Sequence, residues 1–469
     1  MMKKHNTVKV VLIMMLILML LSWILPAAYF QSSYVSQGRV QMGLFDLFSY
    51  PITAVSYFGF IALFVLVVGG FYGVLYRTPA YRTLLDAIVK KFKGKEKILL
   101  AVIMVLFAIL TSVCGLELGI IVFFPFVFSL VLLMGYDKIV AALATVGSTM
   151  VGIAGCTFSA NTVSILTQVL GVNLTSELVT KIVILVIGLV LLIFNTIRYG
   201  ESHKVKGAKK NAEVVSGYIP EAVKGKKKKI WPLVLILDLI LIIMILGFIS
   251  WTGAFKLNIF EDATAAVVGF KLFGFEIFGK LLGNVQAFGN WTVNELSMIL
   301  VIASFLIAFI YKVKFDDFMQ GFIKGAKEVL KPAALVVLIY TCLVIVTYHP
   351  FQLVIYKALF DLTKGFNVFT TGIAAILSSV LNVEPAYVFQ SVVPYLSSVV
   401  TDKTAYPLIA VMFQSLYGAI MLIAPTSVIL MGTISYLGVS YKEWLKNIWK
   451  FVLEFIVVLF IIFTILVLI

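Results

Sequence analysis

Between residues 155 and 172 the chain reads GCTFSANTVSILTQVLGV, and Cys156, Thr157, Ser159, Asn161, Thr162, Ser164, Thr167 and Gln168 crowd into a stretch bounded by apolar sequence. A second interruption, APTSVILMGTISYLGV at 424–439, brings Pro425, Thr426 and Ser427 into another apolar run. Where a helix stops inside a bilayer, freed N–H groups and the positive dipole end can hold an anion, and freed carbonyls can hold a cation. Ser, Thr and Asn side chains complete either shell, and Pro425, lacking an N–H, frees a carbonyl one turn earlier. The substrate- and ion-binding candidates are therefore Ser159, Asn161, Thr162, Ser164, Pro425, Thr426 and Ser427. The competing role for each is helix–helix packing, for which Ser and Thr are common. Two carboxylates join them as candidates for gating or coupling, because charge inside a membrane is costly. Glu117 lies in SVCGLELGI. Glu384 precedes Pro385 where two short apolar segments, 367–381 and 386–400, meet as the tip of a re-entrant hairpin would.

Other chemistries find no support. The chain carries no HExxH, CxxC or P-loop, and no nucleophile elbow with partners, so an enzyme is not expected. His5, His203 and His349 are scattered and suggest no metal site, while Cys114, Cys156 and Cys342 all lie in apolar segments and give no disulfide framework. No cofactor is expected beyond Na⁺ or H⁺ as a coupling ion.

The elements that must position these residues are membrane helices. Of 469 residues, 62% are hydrophobic and 13% charged, with a mean hydropathy of +1.09. A bilayer core of ~30 Å takes roughly 20 apolar residues per helix, and about 10–12 membrane segments can be read on that basis. Among them are 8–29, 57–76, 98–114, 117–134, 138–157, 178–198, 232–250, 292–311, 332–348, 405–424 and 447–469. The fold class is an all-α polytopic membrane protein, with the lipid bilayer as its obligatory partner. Residues 8–29 read as a retained span rather than a cleaved leader.

The net charge of +15 sits in loops. Between 201 and 229 there are nine Lys against three Glu, and between 77 and 97 seven basic residues against two acidic. That is the cytoplasmic bias that orients spans, and no nucleic-acid partner is expected. It places the N-terminus, 77–97 and 199–229 on one side and demands an even number of crossings before 199.

The basic stretch divides the chain into 1–200, a first membrane repeat; 201–229, a cytoplasmic linker; and 230–469, a second repeat. Landmarks recur in order. Tyr76-Arg77 matches Tyr311-Lys312, and an amphipathic stretch over 84–92 matches one over 315–330, both suited to the membrane interface. Asp137-Lys138 and Asp402-Lys403 each precede a polar break by about two dozen residues. Paired, interrupted helices in two halves point to the substrate site of a secondary transporter. Inverted repeats, however, need an odd number of crossings in each half.

Four stretches carry a family resemblance: TVKVVLIMMLILMLLSWILPAAYF, FVLVVGGFYGVLYRTPAY, CGLELGIIVFFPFVFSLVLLMGYD and APTSVILMGTISYLGVSYKEWLK. They resemble the YfcC-type branch of the anaerobic four-carbon dicarboxylate carrier family, and the resemblance covers nearly the whole chain. It implies two inverted repeats, each with a re-entrant hairpin and an interrupted helix, a homodimer built on a scaffold, and a transport unit that moves as an elevator. It also implies a secondary transporter of a small organic solute, a dicarboxylate or an amino acid, in the bacterial cytoplasmic membrane, coupled to Na⁺, H⁺ or exchange. The sequence departs from the family where Asn382-Val383-Glu384-Pro385 replaces a Ser-Gly-Ser-Gly-type tip, and where Met421-Leu422-Ile423-Ala424 leads into the second break without the usual Asn. A channel and a non-transporting membrane assembly partner are the alternative classes.

Overall fold

The structure is a computed structural model, and the described residues are 6–31, 33–159, 170–173, 175–204, 229–283, 285–363 and 365–468. Eight of their helices are long and apolar enough to cross a membrane. The described residues are helical almost throughout. The four strands among the described residues form two small hairpins, Ala27–Phe30 with Tyr34–Gly38 and Lys271–Leu272 with Phe275–Glu276.

In chain order the first helices are α1 (Asn6–Ile24), α2 (Asp46–Tyr76), α3 (Pro79–Lys91), α4 (Glu96–Cys114), α5 (Phe124–Leu133, entered through a 3₁₀ turn at Gly119–Phe123) and α6 (Lys138–Ala154), followed by α7 (Leu178–His203). Then come α8 (Trp231–Phe248), three short exposed helices α9 (Trp251–Phe255), α10 (Ile259–Val268) and α11 (Ile277–Leu282), and α12 (Val293–Ile310). The remainder is α13 (Phe315–Glu328), α14 (Leu330–Tyr348), α15 (Gln352–Asp361), α16 (Val368–Leu381), α17 (Pro385–Val399), α18 (Tyr406–Ile420), α19 (Val428–Leu437) and α20 (Tyr441–Leu468).

The two segments read from sequence as separate spans, 98–114 and 117–134, form one helical hairpin, α4 and α5, of which α4 is long and apolar enough to cross a membrane. The chain reverses after Gly115, which caps α4 at φ +71°. That left-handed conformation suits glycine, and a Cβ there would also sit 2.9 Å from Ser159 Oγ. Both open ends of the hairpin meet the end of α7. Lys97 Nζ lies 3.3 Å from Glu201 Oε2, Tyr136 donates to Glu201 Oε1 at 2.8 Å, and Tyr199 donates to Asp137 Oδ2 at 2.9 Å. Residues 96–97, 136–137 and 199–204 therefore share one end of the molecule. The same kind of link joins Arg77 to Asp317 at 3.3 Å and the Tyr311 hydroxyl to the Lys229 carbonyl at 2.8 Å.

The opposite end is tied by His349. Its Nδ1 lies 2.7 Å from the Val40 carbonyl, which can only accept, so Nδ1 carries the proton. Nε2 then accepts from the Tyr50 hydroxyl at 2.9 Å. Nearby, Ala28 N donates to the Pro350 carbonyl at 2.9 Å. The expected second hairpin is present as α16 and α17, with Asn382–Glu384 as its tip.

Two packing groups can be distinguished. α2 packs against α12, α13 and α14, with α1 on α14 and α8 on α12. The amphipathic helix α13 lies across α2 rather than on lipid alone: a Cβ on Gly73 would sit 2.1 Å from the Gly321 carbonyl, and one on Gly69 2.6 Å from that of Gly325. The other group joins α4 to α6, α16 to α18, and α6 to α18, with α7 and α20 against it. There, a Cβ on Gly418 would sit 2.5 Å from Ala154 N, so the two interrupted helices touch backbone to backbone.

The repeated Asp-Lys pairs have a local cause. Asp137 caps α6, accepting from Val140 N at 2.9 Å, and Asp402 accepts from Thr404 N at 2.9 Å in the turn entering α18. An aspartate at this position satisfies an otherwise orphaned amide.

Candidate functional site

The second interruption forms where expected, between α18 and α19, while of the first the described residues show the end of α6, residues 160–169 with Asn161 and Thr162 lying outside them; at both, freed carbonyls are taken by side chains. At the first, α6 ends at Ala154. Its carbonyl accepts from Ser415 Oγ at 2.8 Å, the Gly155 carbonyl from Ser112 Oγ at 2.8 Å, and the Cys156 carbonyl from Gln414 Nε2 at 2.8 Å. At the second, the Leu422 carbonyl accepts from Trp444 Nε1 at 2.7 Å, and the Ile423 carbonyl accepts from the Tyr441 hydroxyl. A cation at these particular carbonyls would share each oxygen with a side-chain donor, using its second lone pair.

The first turn of α19, at the amide end of the second break, borders open space. Ser427 caps α19, accepting from Leu430 N at 3.4 Å. Ser427, Val428 and Ile429 all border a cavity of about 320 Å³. A cap side chain satisfies only part of a helix's first turn, leaving amides for an anionic group.

The two carboxylates come together at that same cavity. Glu117 sits just past Gly115 at the tip of the α4–α5 hairpin, and Glu384 sits at the tip of the α16–α17 hairpin. Ser159 donates to Glu117 Oε1 at 3.4 Å, and the Tyr340 hydroxyl donates to Glu384 Oε1. Tyr417 borders the cavity as well and donates to the Val383 carbonyl at 3.0 Å, holding the second tip in place. The exposed Thr292 at the start of α12 and apolar residues such as Phe60, Ile61 and Met150 line the rest, and no Lys, Arg or His borders it among the described residues.

The other candidates fall elsewhere. Thr426 is fully buried and donates to the Val380 carbonyl at 2.9 Å, fastening the second hairpin to the second break. Neither Thr426 nor Pro425 borders the cavity. Ser159 reaches it only through Glu117. Asn161, Thr162 and Ser164 lie outside the described residues.

Sequence reasoning missed two residues of this cavity. Tyr340 and Tyr417 look like ordinary aromatic packing in their helices, and only the hairpin tips give their hydroxyls a role. Lys181, 4% exposed in α7, was signalled by being a lone lysine in an apolar helix, and it does not border the cavity.

A multi-pass helical membrane protein with an interrupted helix, two helical hairpins and a carboxylate-bearing cavity between their tips has an organisation met among transporters. The profile of the family DcuC, C4-dicarboxylate anaerobic carrier, matches residues 4–469, and the chain belongs to that family. An uncharacterised protein of Haemophilus influenzae is 31% identical over 128 residues, 27% of this chain and 25% of that protein. YfcC of Escherichia coli (strain K12), named as a candidate basic amino acid antiporter, is 25% identical over 179 residues, 38% of this chain and 35% of YfcC. The aligned segments thus span only a quarter to about a third of these relatives. The crystal structure of the YdaH transporter of Alcanivorax borkumensis aligns over 99% of this chain and 98% of its own, at a TM-score of 0.43 and 12% identity.

Proposed function

We propose that this carrier moves a small cationic organic solute of the basic amino acid type. The observation that carries the reading is the pairing of Glu117 and Glu384 at one cavity that no basic residue borders among the described residues. Two carboxylates there favour a cation and oppose a free dianion. The α-carboxylate of an amino acid would sit at Ser427 and the first amides of α19, and its cationic groups at Glu117 and Glu384. Asn161, Thr162 and Ser164, which follow Ser159 in sequence, are assigned to the same site. A cavity of about 320 Å³ is at the small end of the range for ligand pockets, roughly 300–1,000 Å³. The family description favours a dicarboxylate as the second reading. That solute would need Na⁺ or H⁺ at the two carboxylates first, which makes cation coupling obligatory.

The same reading assigns the repeats differently from the division at the basic linker. The first unit is α2 to α7: span, amphipathic α3, hairpin, interrupted helix, span. The second is α14 to α20, with α15 as its amphipathic helix. Each unit has three crossings, and the first begins at the His349 end while the second begins at the basic end, so the two are inverted. The even crossing count before residue 199 is then compatible with inversion, because α1 lies outside the repeat. The group containing both hairpins and both interrupted helices would be the elevator. α2 and α12–α14 would be the frame that pairs in a homodimer.

Counterflow in proteoliposomes tests the substrate class. Vesicles are loaded with unlabelled arginine, lysine and succinate, and labelled arginine or labelled succinate is offered with and without Na⁺. Saturable accumulation of arginine is expected. Accumulation of succinate alone, dependent on Na⁺ or a proton gradient, replaces this proposal with the dicarboxylate reading, and unsaturable flux identifies a channel.

A further inference from the structure

Two more cavities, of about 240 Å³ each, are lined by residues around the His349 tie, among them Thr347, Tyr348 and Pro350. The outer one is bordered by Tyr29, Phe30, Pro350, Gln352 and Asn382, and the inner one by Tyr57, Phe58, Leu343 and Tyr348; Thr347 and Tyr387 border both. The two therefore adjoin. Three elements then carry their lining onward to the substrate cavity. On α14 the residues step from Thr347 through Leu343 and Val344 to Tyr340, one helical face. On α2 they step from Tyr57 and Phe58 to Phe60 and Ile61, and on the second hairpin from Tyr387 to Glu384.

At the junction two rings are stacked. Phe58 borders the inner vestibule and Tyr340 borders the substrate cavity, with centroids 4.3 Å apart and planes 18° from parallel. Tyr340 is fully buried, and its hydroxyl donates to Glu384. Tyr340 belongs to the α2–α14 packing group and Glu384 to the hairpin group, so this bond joins the two.

We propose that the stacked Phe58–Tyr340 pair is the gate between the substrate cavity and this vestibule, and that the Tyr340 hydroxyl on Glu384 is its latch. A cationic group reaching Glu384 competes with the hydroxyl for the carboxylate. Once the hydroxyl is released, the Tyr340 ring is free to leave Phe58, and the bond between the two packing groups is broken at the same moment. Tyr340 is in this scheme a positioning residue that makes gate opening depend on an occupant at Glu384. The occupant's class rests on the reading above, whereas the gate does not.

The test is thiol accessibility in the full chain, with Cys114, Cys156 and Cys342 replaced by alanine and a reporter at S427C. Oriented proteoliposomes receive a membrane-impermeant methanethiosulfonate from either side. With no solute present, the reporter should react slowly from the His349 side. Phe58→Ala should raise that rate about tenfold, the scale of losing an aromatic stack. Tyr340→Phe keeps the ring and loses the latch, and it should raise the rate roughly tenfold as well, the scale of a hydrogen bond to a carboxylate. Rates from the basic side should not move, which separates gating from unfolding. Unchanged rates from the His349 side in both variants, or faster reaction from the basic side in the parent, would overturn the gate. Effects of arginine and of succinate on the labelling rate are read separately, and acceleration by succinate instead of arginine would count against the substrate class while leaving the gate intact.

Discussion

Replacing Glu117 or Glu384 by glutamine removes one negative charge from the cavity and nearly preserves volume. In Glu384→Gln the new amide oxygen can still accept from Tyr340, and in Glu117→Gln from Ser159, so the hairpin tips keep their tethers. A carboxylate about 4 Å from a cation contributes about 4 kcal/mol at an effective dielectric of 20. Desolvation of both groups reduces this to about 1.5–3 kcal/mol, the usual net value for a hydrogen bond to a charged group. Each single variant should therefore raise the half-saturation concentration for arginine roughly ten- to a hundredfold. The assay is initial-rate counterflow over a series of arginine concentrations, with a neutral isostere such as citrulline alongside. Citrulline keeps the α-ammonium and lacks the guanidinium, so it should lose far less than arginine in the variant of the carboxylate that holds the guanidinium and about as much in the other. Arginine half-saturation unchanged by both substitutions would refute the reasoning. Improved succinate uptake would refute it more sharply, because neutralising a repulsive carboxylate is what a dianionic solute requires.

Three further substitutions probe the framework around the cavity. Gln414→Leu leaves the Cys156 carbonyl without its 2.8 Å donor and should cost about 1–2 kcal/mol; it is read as a lower unfolding temperature of the purified protein, and an unchanged temperature would show that the cap is dispensable. Thr426→Val removes the 2.9 Å bond to Val380 and should lower stability while leaving the arginine-to-succinate preference unaltered; an altered preference in a fully stable protein would return Thr426 to the binding site. Gly73→Ala places a methyl where only 2.1 Å separates it from the Gly321 carbonyl, forcing α13 off α2 at a cost of about 1–3 kcal/mol. It should therefore destabilise the protein more than the same change at Gly432, where a Cβ meets nothing within 4 Å, and equal melting of the two variants would contradict that contact.

Composition alone decided that this chain is a bundle of membrane helices, because unpaired backbone is intolerable in hydrocarbon whatever the neighbours. The sequence also marked the end of α6 through the polar cluster that opens at Cys156, the second interruption through Pro425 to Ser427, and the second hairpin through Glu384-Pro385. Those signals are local: a polar cluster, a proline and a charge in an apolar run each carry their meaning within a few residues. Three other features required the tertiary structure. An apolar segment has the same composition whether it crosses the bilayer or turns back, so α4 and α5 became a hairpin only through Lys97, Tyr136 and Asp137 meeting Glu201 and Tyr199. Carbonyls freed at a break look available in sequence, yet Gln414, Ser415 and Trp444 reach them from other helices. Glu117 and Glu384 stand 267 positions apart by residue number, and nothing in their own neighbourhoods says that they share a cavity. That was decided by the packing of α6 on α18, where Gly418 lets two backbones touch and both hairpin tips border one cavity.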